Sequence, residues 1–218
     1  MIQRLSSLYS TTWRAIVILL TIEIAIVSLL KYFTMMVEPP SPVVANAFAA
    51  PFLPIHVIFS VVALVVAPLQ FVRAVRVRWP QAHRVIGRIY IAGCAVGAPT
   101  GLFLALGTTA GPLAAGGFAI PAMLWPIFCW LGWRAAVARR ITSHRKWMTR
   151  GYAMCANAIT LRVMLPIAGL LGFDFFTAYP VIAWLSWMTS MAVAEWIVRG
   201  GRGSPGHGWT DPAPAHAT

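Results

Sequence analysis

Six apolar stretches, each about twenty residues long, dominate the chain and decide what it can fold into. They run over about Trp13–Phe33, Pro51–Val72, Val85–Gly107, Phe118–Ala138, Trp147–Leu171 and Phe176–Val198. At 1.5 Å per residue, twenty helical residues cross the ~30 Å hydrocarbon core of a bilayer. Backbone polar groups in lipid must be satisfied within the segment, so spans of this kind are helices. Only 10% of residues are charged and 59% are hydrophobic, far from the roughly 25% charged of a soluble domain. The sequence therefore predicts an all-α integral membrane protein with six transmembrane helices in an antiparallel bundle.

The expected organisation is a lead and first helix over 1–33, a core over 51–171, a sixth helix over 176–198 and a disordered cytoplasmic tail over 199–218. The run Ala45-Asn-Ala47 has the look of a signal cleavage site. The apolar run before it is longer than a typical h-region of about 7–15 residues, which favours a span. The core divides into hairpins 51–107 and 118–171 that read as a duplication. Each has a His-Arg pair at a helix entrance, His83-Arg84 and His144-Arg145, and a cysteine eleven residues on, Cys94 and Cys155. Eleven residues make three helical turns, so each histidine shares a face with its cysteine.

The net charge of +12 would point to nucleic acid in a soluble chain. Here the positions of the charges assign it to topology. Of 17 Lys and Arg, five lie over 73–88 and six over 134–150. Four more, Arg4, Arg14, Arg199 and Arg202, lie in or beside the tails, leaving Lys31 and the intramembrane Arg162. The positive-inside rule places both termini and both His-Arg loops in the cytoplasm, with the lipid bilayer as the partner and no nucleic acid. Trp13, Trp79, Trp133, Trp147 and Trp196 fall near that inner boundary, as an aromatic belt would. Cys94, Cys129 and Cys155 lie inside apolar segments, which argues for packing rather than a disulfide framework.

Ionisable groups inside a bilayer are costly and so mark candidate sites. Arg162 lies fifteen residues past Trp147, roughly 22 Å into the membrane. It stands five full turns after His144 and shares its face. Glu23, the one mid-membrane acid, is the expected partner in a structural ion pair. Glu195 near the end of the last span is a further candidate. His56 lies about one turn inside segment two, at a depth close to that of Arg162. The two could hold a haem, a quinone or another small anion near the outer face, or His56 could simply bond a backbone carbonyl. On the inner side, His83 and His144 come from two helices at equal depth, the arrangement that holds a haem b iron in a membrane four-helix bundle. Arg84, Arg88, Arg145 and Arg150 suit propionates, a quinone head group or lipid phosphates. The alternative reading makes the same residues interfacial anchors.

Taken together, His56, the run Pro68-Leu-Gln70-Phe71, Arg76-x-Arg78-x-Pro80, His83-Arg84-x-x-Gly87-Arg88-x-Tyr90, His144-Arg145-x-Trp147-Met148-x-Arg150-x-Tyr152 and Thr160-Leu-Arg162 resemble a bacterial family of predicted membrane proteins, domain of unknown function 2306. The likeness covers about residues 52–170. It implies a multi-span inner-membrane protein in which His56, Gln70, His83, His144, Arg150 and Arg162 match the family pattern, and it implies no activity. Three readings follow: a haem b or quinone protein of membrane electron transfer, a non-enzymatic accessory or assembly subunit bound to other membrane protein subunits, or a small-molecule transporter. The last draws on the helix breakers Pro99, Gly101 and Pro126.

Overall fold

The computed structural model describes residues 45–200, together with residues 19, 21–23, 26, 27 and 30, which are helical. The expected first span falls largely outside the described residues, as do Trp13 and the tail after Gly200. Among the described residues there is no strand. The helices are α1 (Ala49–Phe71), the short α2 (Arg73–Arg78), α3 (Pro80–Leu106), α4 (Gly111–Val137), α5 (Ile141–Leu170) and α6 (Phe175–Gly200). All but α2 are long and apolar enough to cross a membrane.

Several boundaries differ from those expected, for local reasons. α3 begins at Pro80, so His83 and Arg84 lie in its first turn rather than ahead of it. α4 begins at Gly111, inside a stretch expected to be a loop up to Gly117. In both cases a proline occupies the first turn. There its missing N–H costs nothing and its fixed φ favours the helix. Gly111 adopts φ +87°, a left-handed value that glycine takes without the Cβ penalty. α5 starts at Ile141, six residues before Trp147, and takes in the whole His144–Arg150 motif. α3 continues through Pro99, α4 through Pro121 and Pro126, and α5 through Pro166.

Successive long helices pack side by side, α6 also lies on α4, and α1 meets α5 only lightly. The contacts are close because small residues face each other. A Cβ added at Gly93 would stand 2.9 Å from the Phe59 carbonyl and 3.0 Å from the Ala63 Cβ. One added at Gly117 would stand 2.8 Å from the Ala183 Cβ. The core is accordingly built of Ala63, Ala67, Cys94, Ala98, Cys129, Ala153, Cys155 and Ala194, with Tyr90, Trp125 and Met154 as its large members. The cysteines are free and buried.

Large apolar side chains sit mostly on the outside. Leu106 is 63% exposed, Leu170 88% and Trp196 75%. An apolar surface this extensive is one that hydrocarbon covers, not water. Trp79, Trp133 and Trp196 are exposed near the end of the molecule that carries Arg73–Arg84 and Arg139–Arg150, hereafter the basic end.

Candidate functional site

At the basic end, the two His-Arg motifs come together only in part. His144, on the first turn of α5, bonds through Nδ1 to the Gly132 carbonyl of α4 at 2.9 Å. His83, on the first turn of α3, lies within electrostatic reach of His144, Arg76 and Arg84. Its Nδ1 is buried without a hydrogen-bond partner, as is Gln70 Nε2 nearby on α1. Gly87, one turn beyond His83, leaves room for that glutamine: a Cβ there would stand 3.5 Å from Gln70 Oε1.

The four arginines expected around this pair are dispersed. Arg84 is exposed and bonds the Pro80 carbonyl of its own turn at 3.3 Å. Arg88 and Arg145 are exposed. Arg150 turns to α6, where Nε and Nη2 donate to the two carboxylate oxygens of Glu195. Arg199 adds a second contact to Glu195 at 3.4 Å, and Arg150 lies over the Trp147 ring, 4.8 Å from its centre.

The other half of the molecule holds a cavity of about 700 Å³. It lies between α1, α3, α4 and α5, with Glu23 and Val27 on its wall and Tyr179 of α6 at its edge. Leu53, Val57, Leu64, Leu161 and Leu165 give it an apolar surface, and Trp125 and Met154 line it deeper in the fold. Its polar side chains are few: His56, Arg162, Glu23, Ser60, Asn46, Asn157, Thr108, Thr109 and Tyr179. Most of a membrane ligand's body would meet hydrocarbon-like wall, and only its head would meet these groups.

His56 is fixed by α3. Its Nδ1 lies 2.8 Å from the Gly97 carbonyl, which also accepts from the Thr100 hydroxyl at 3.1 Å. The Ser60 hydroxyl, one turn along α1, is 3.4 Å from the same nitrogen. Small residues on α3 make the fit possible. A Cβ at Gly97 would stand 2.8 Å from Ser60 Oγ, and one at Gly101 the same distance from His56 Cε1.

Arg162, 21 residues along α5, lines the cavity. Nη1 donates to the Ala158 carbonyl one turn back at 3.1 Å, and the charge lies within electrostatic reach of His56 and Tyr179. Glu23 lines the same cavity. The ion pairs among the described residues are those of Glu195 with Arg150 and Arg199.

Of the expected site residues, His56, Arg162 and Glu23 thus meet at the cavity. His83 and His144 meet at the basic end and do not line it. Ser60, Asn46, Asn157 and Tyr179 were not singled out from sequence. Ser60 is one turn from His56, a spacing that puts both on one face. Asn46 owes its place to a tertiary contact, Nδ2 donating to the Leu104 carbonyl at 2.6 Å. Among the described residues, no three of His, Cys, Asp and Glu converge as a metal-ion site.

No curated protein and no solved structure matches the chain. A model for predicted membrane proteins, DUF2306, matches residues 53–198, which hold α1 from its fifth residue through nearly all of α6. The chain, with five long apolar helices among its described residues, its paired His-Arg motifs and its His56–Arg162 cavity, belongs to the predicted membrane protein family DUF2306.

Proposed function

We propose that the protein binds a quinone-type ligand in the cavity and serves membrane electron transfer. The observation that carries this reading is the cavity of about 700 Å³ with apolar walls and a polar head region made by His56 and Arg162. A quinone combines an apolar tail with ring oxygens that accept hydrogen bonds, and guanidinium N–H groups are donors only. A ligand arriving through lipid also fits a cavity on whose sides α1 and α5 meet lightly. Glu23, on the same wall, adds a carboxylate to this polar region.

The surrounding architecture belongs to the same proposal. Residues 13–33 supply a first span, giving six in all. The hairpins 51–107 and 118–171 form a duplicated four-helix core. The basic end faces the cytoplasm of a bacterial cell, with both termini on that side.

Purified protein tests the proposal directly. Solvent extraction should recover a quinone in near-stoichiometric amount. A short-tailed benzoquinone should quench tryptophan fluorescence saturably, because Trp125 lines the cavity. Absence of both would sink the reading.

A second reading, haem b between His83 and His144, draws on one specific bond. His144 Nδ1 is held by the Gly132 carbonyl, the arrangement that leaves Nε2 to a metal. Haem would bring a one-electron couple to the basic end. The residues that would hold it are His83 and His144, with Arg84 and Arg88 on the α3 side for the propionates. An oxidised and then dithionite-reduced spectrum decides it: a Soret band that disappears in His144→Ala supports haem, and its absence from haem-supplied wild type removes it. A protein with neither ligand would fall to the accessory-subunit reading, in which His83→Ala lowers abundance or changes co-purifying subunits. Substrate uptake in liposomes abolished by Arg162→Ala would instead favour a transporter.

A further inference from the structure

We infer that the cavity selects the reduced form of its ligand, a hydroquinone, over the oxidised quinone. The inference rests on the quinone-type reading of the cavity and adds which redox state is held.

The argument starts from His56. A carbonyl oxygen only accepts hydrogen bonds, so the nitrogen 2.8 Å from the Gly97 carbonyl carries the hydrogen. In a neutral imidazole the other nitrogen, Nε2, is then a bare lone pair. The glycine contacts show which way the ring faces. A Cβ at Gly101 would lie 2.8 Å from Cε1 and 2.9 Å from Nδ1, but 3.9 Å from Nε2. The Nδ1–Cε1 edge is therefore laid against α3, and Nε2 is turned away from it. His56 lines the cavity. The hydrogen bonds of its ring run through Nδ1, to Gly97 and Ser60. The cavity thus meets a hydrogen-bond acceptor at His56 and donors at Arg162. A carboxylate oxygen of Glu23, on the same wall, is another acceptor when ionised.

The two redox forms answer this pattern differently. A hydroquinone hydroxyl both donates and accepts. One of its hydroxyls donates to His56 Nε2, while an oxygen of the ring accepts from Arg162. An oxidised quinone has acceptors only. It satisfies Arg162 but places a carbonyl oxygen against the imidazole lone pair. Leaving one buried group unmatched weakens binding by roughly tenfold or more. A tenfold preference for the reduced form raises the bound couple's midpoint potential by about 30 mV, at 29.6 mV per tenfold for two electrons. No bond is made or broken in the selection, which is a matter of matched donors and acceptors.

The test uses the full chain in lipid nanodiscs under anaerobic conditions, with a short-tailed benzoquinone and its hydroquinone as the probes. Each is titrated against tryptophan fluorescence and by calorimetry. The expected result is a Kd for the hydroquinone roughly tenfold below that of the quinone. His56→Phe should bring the two Kd values together, and Arg162→Gln should weaken both. Gly101→Ala keeps the imidazole but displaces it, and should also erase the preference, covering the case in which His56→Phe fails to fold. Equal affinities in the wild type, tighter binding of the quinone, or a preference that survives displacement of His56 would each overturn the inference and leave the quinone-type cavity standing. Failure of both probes to bind would remove the cavity reading itself.

Discussion

Arg150 on α5 and Glu195 on α6 form a two-pronged ion pair, with Nε 2.5 Å from Oε1 and Nη2 3.2 Å from Oε2. The pair is 45 residues apart in the chain and ties the last helix to the core. The carboxylate is shared with Arg199 one turn further along α6, at 3.4 Å. Planar, bidentate geometry of this kind is stronger than a single contact. Both side chains are partly exposed, at 20% and 26%, so the expected effect is moderate. Arg150→Ala should lower stability by about 1–3 kcal/mol, read as the loss of thermal midpoint in detergent. Arg150→Lys should recover only part of it, because an ammonium cannot present two parallel N–H groups. An Arg150→Ala midpoint equal to wild type would show that α6 is held by packing alone.

Two glycines on the same face of α3 should answer differently to alanine. At Gly93 the obstacles are the Phe59 carbonyl, 2.9 Å from a new Cβ, and the Ala63 Cβ at 3.0 Å. Backbone cannot step aside, so α1 and α3 must separate, at about 1–3 kcal/mol. At Gly101 the obstacle is the His56 ring, the movable end of a side chain. There the stability loss should be smaller, about 1 kcal/mol, while ligand affinity falls. Thermal unfolding beside a binding titration separates the two. Equal loss of stability at both sites would mean that the imidazole is as immobile as the backbone.

How much of this was legible in the sequence depends on how local the signal is. Apolar runs long enough to cross a membrane are local, and the five long helices follow from them. Their starts were displaced because the expected segments began at the first apolar run. Pro80 and Pro112 instead nucleate their helices from polar or glycine-rich residues. Cys94, Cys129 and Cys155 were read as packing residues from their place inside apolar segments, and all three lie buried in the core. Partners distant in sequence left no mark. Nothing near Arg150 announces Glu195, and the Gly97 carbonyl that orients His56 is backbone, which no residue identity encodes. Arg162 and His56 were found because an ionisable group in lipid stands out by itself.

Within the core, Tyr90 is 1% exposed and its hydroxyl accepts from Trp125 Nε1 at 2.9 Å. Tyr90→Phe would leave that indole N–H buried with no acceptor, at a cost of about 1–3 kcal/mol. Trp125 also lines the cavity, so the substitution should shift the indole emission and alter quenching by a bound ligand. Unchanged emission together with unchanged stability would show that another group replaces the phenol as acceptor.

The turn before α6 offers a pH test outside the spans. Asp174 caps that helix: Oδ1 accepts the Phe176 N–H at 3.0 Å, and Oδ2 accepts the Thr177 N–H at 2.9 Å and the Thr177 hydroxyl at 2.5 Å. These bonds, the Thr177 hydroxyl first, favour the ionised carboxylate and hold its pKa below the ordinary 3.8. A group depressed in the folded state contributes its stability above the unfolded pKa, and that contribution fades as pH falls through the folded value. Amide exchange at Phe176 and Thr177, corrected for the intrinsic rate, should therefore show constant protection from neutral pH down to about 4. Protection should then drop on further acidification, as the first turn of α6 frays. Asp174→Ala should show the frayed rates at every pH. Asp174→Asn keeps an oxygen for capping but has no proton to gain in this range, so it should lose the acid step. A step that persists in Asp174→Asn would mean that some other group controls the helix start.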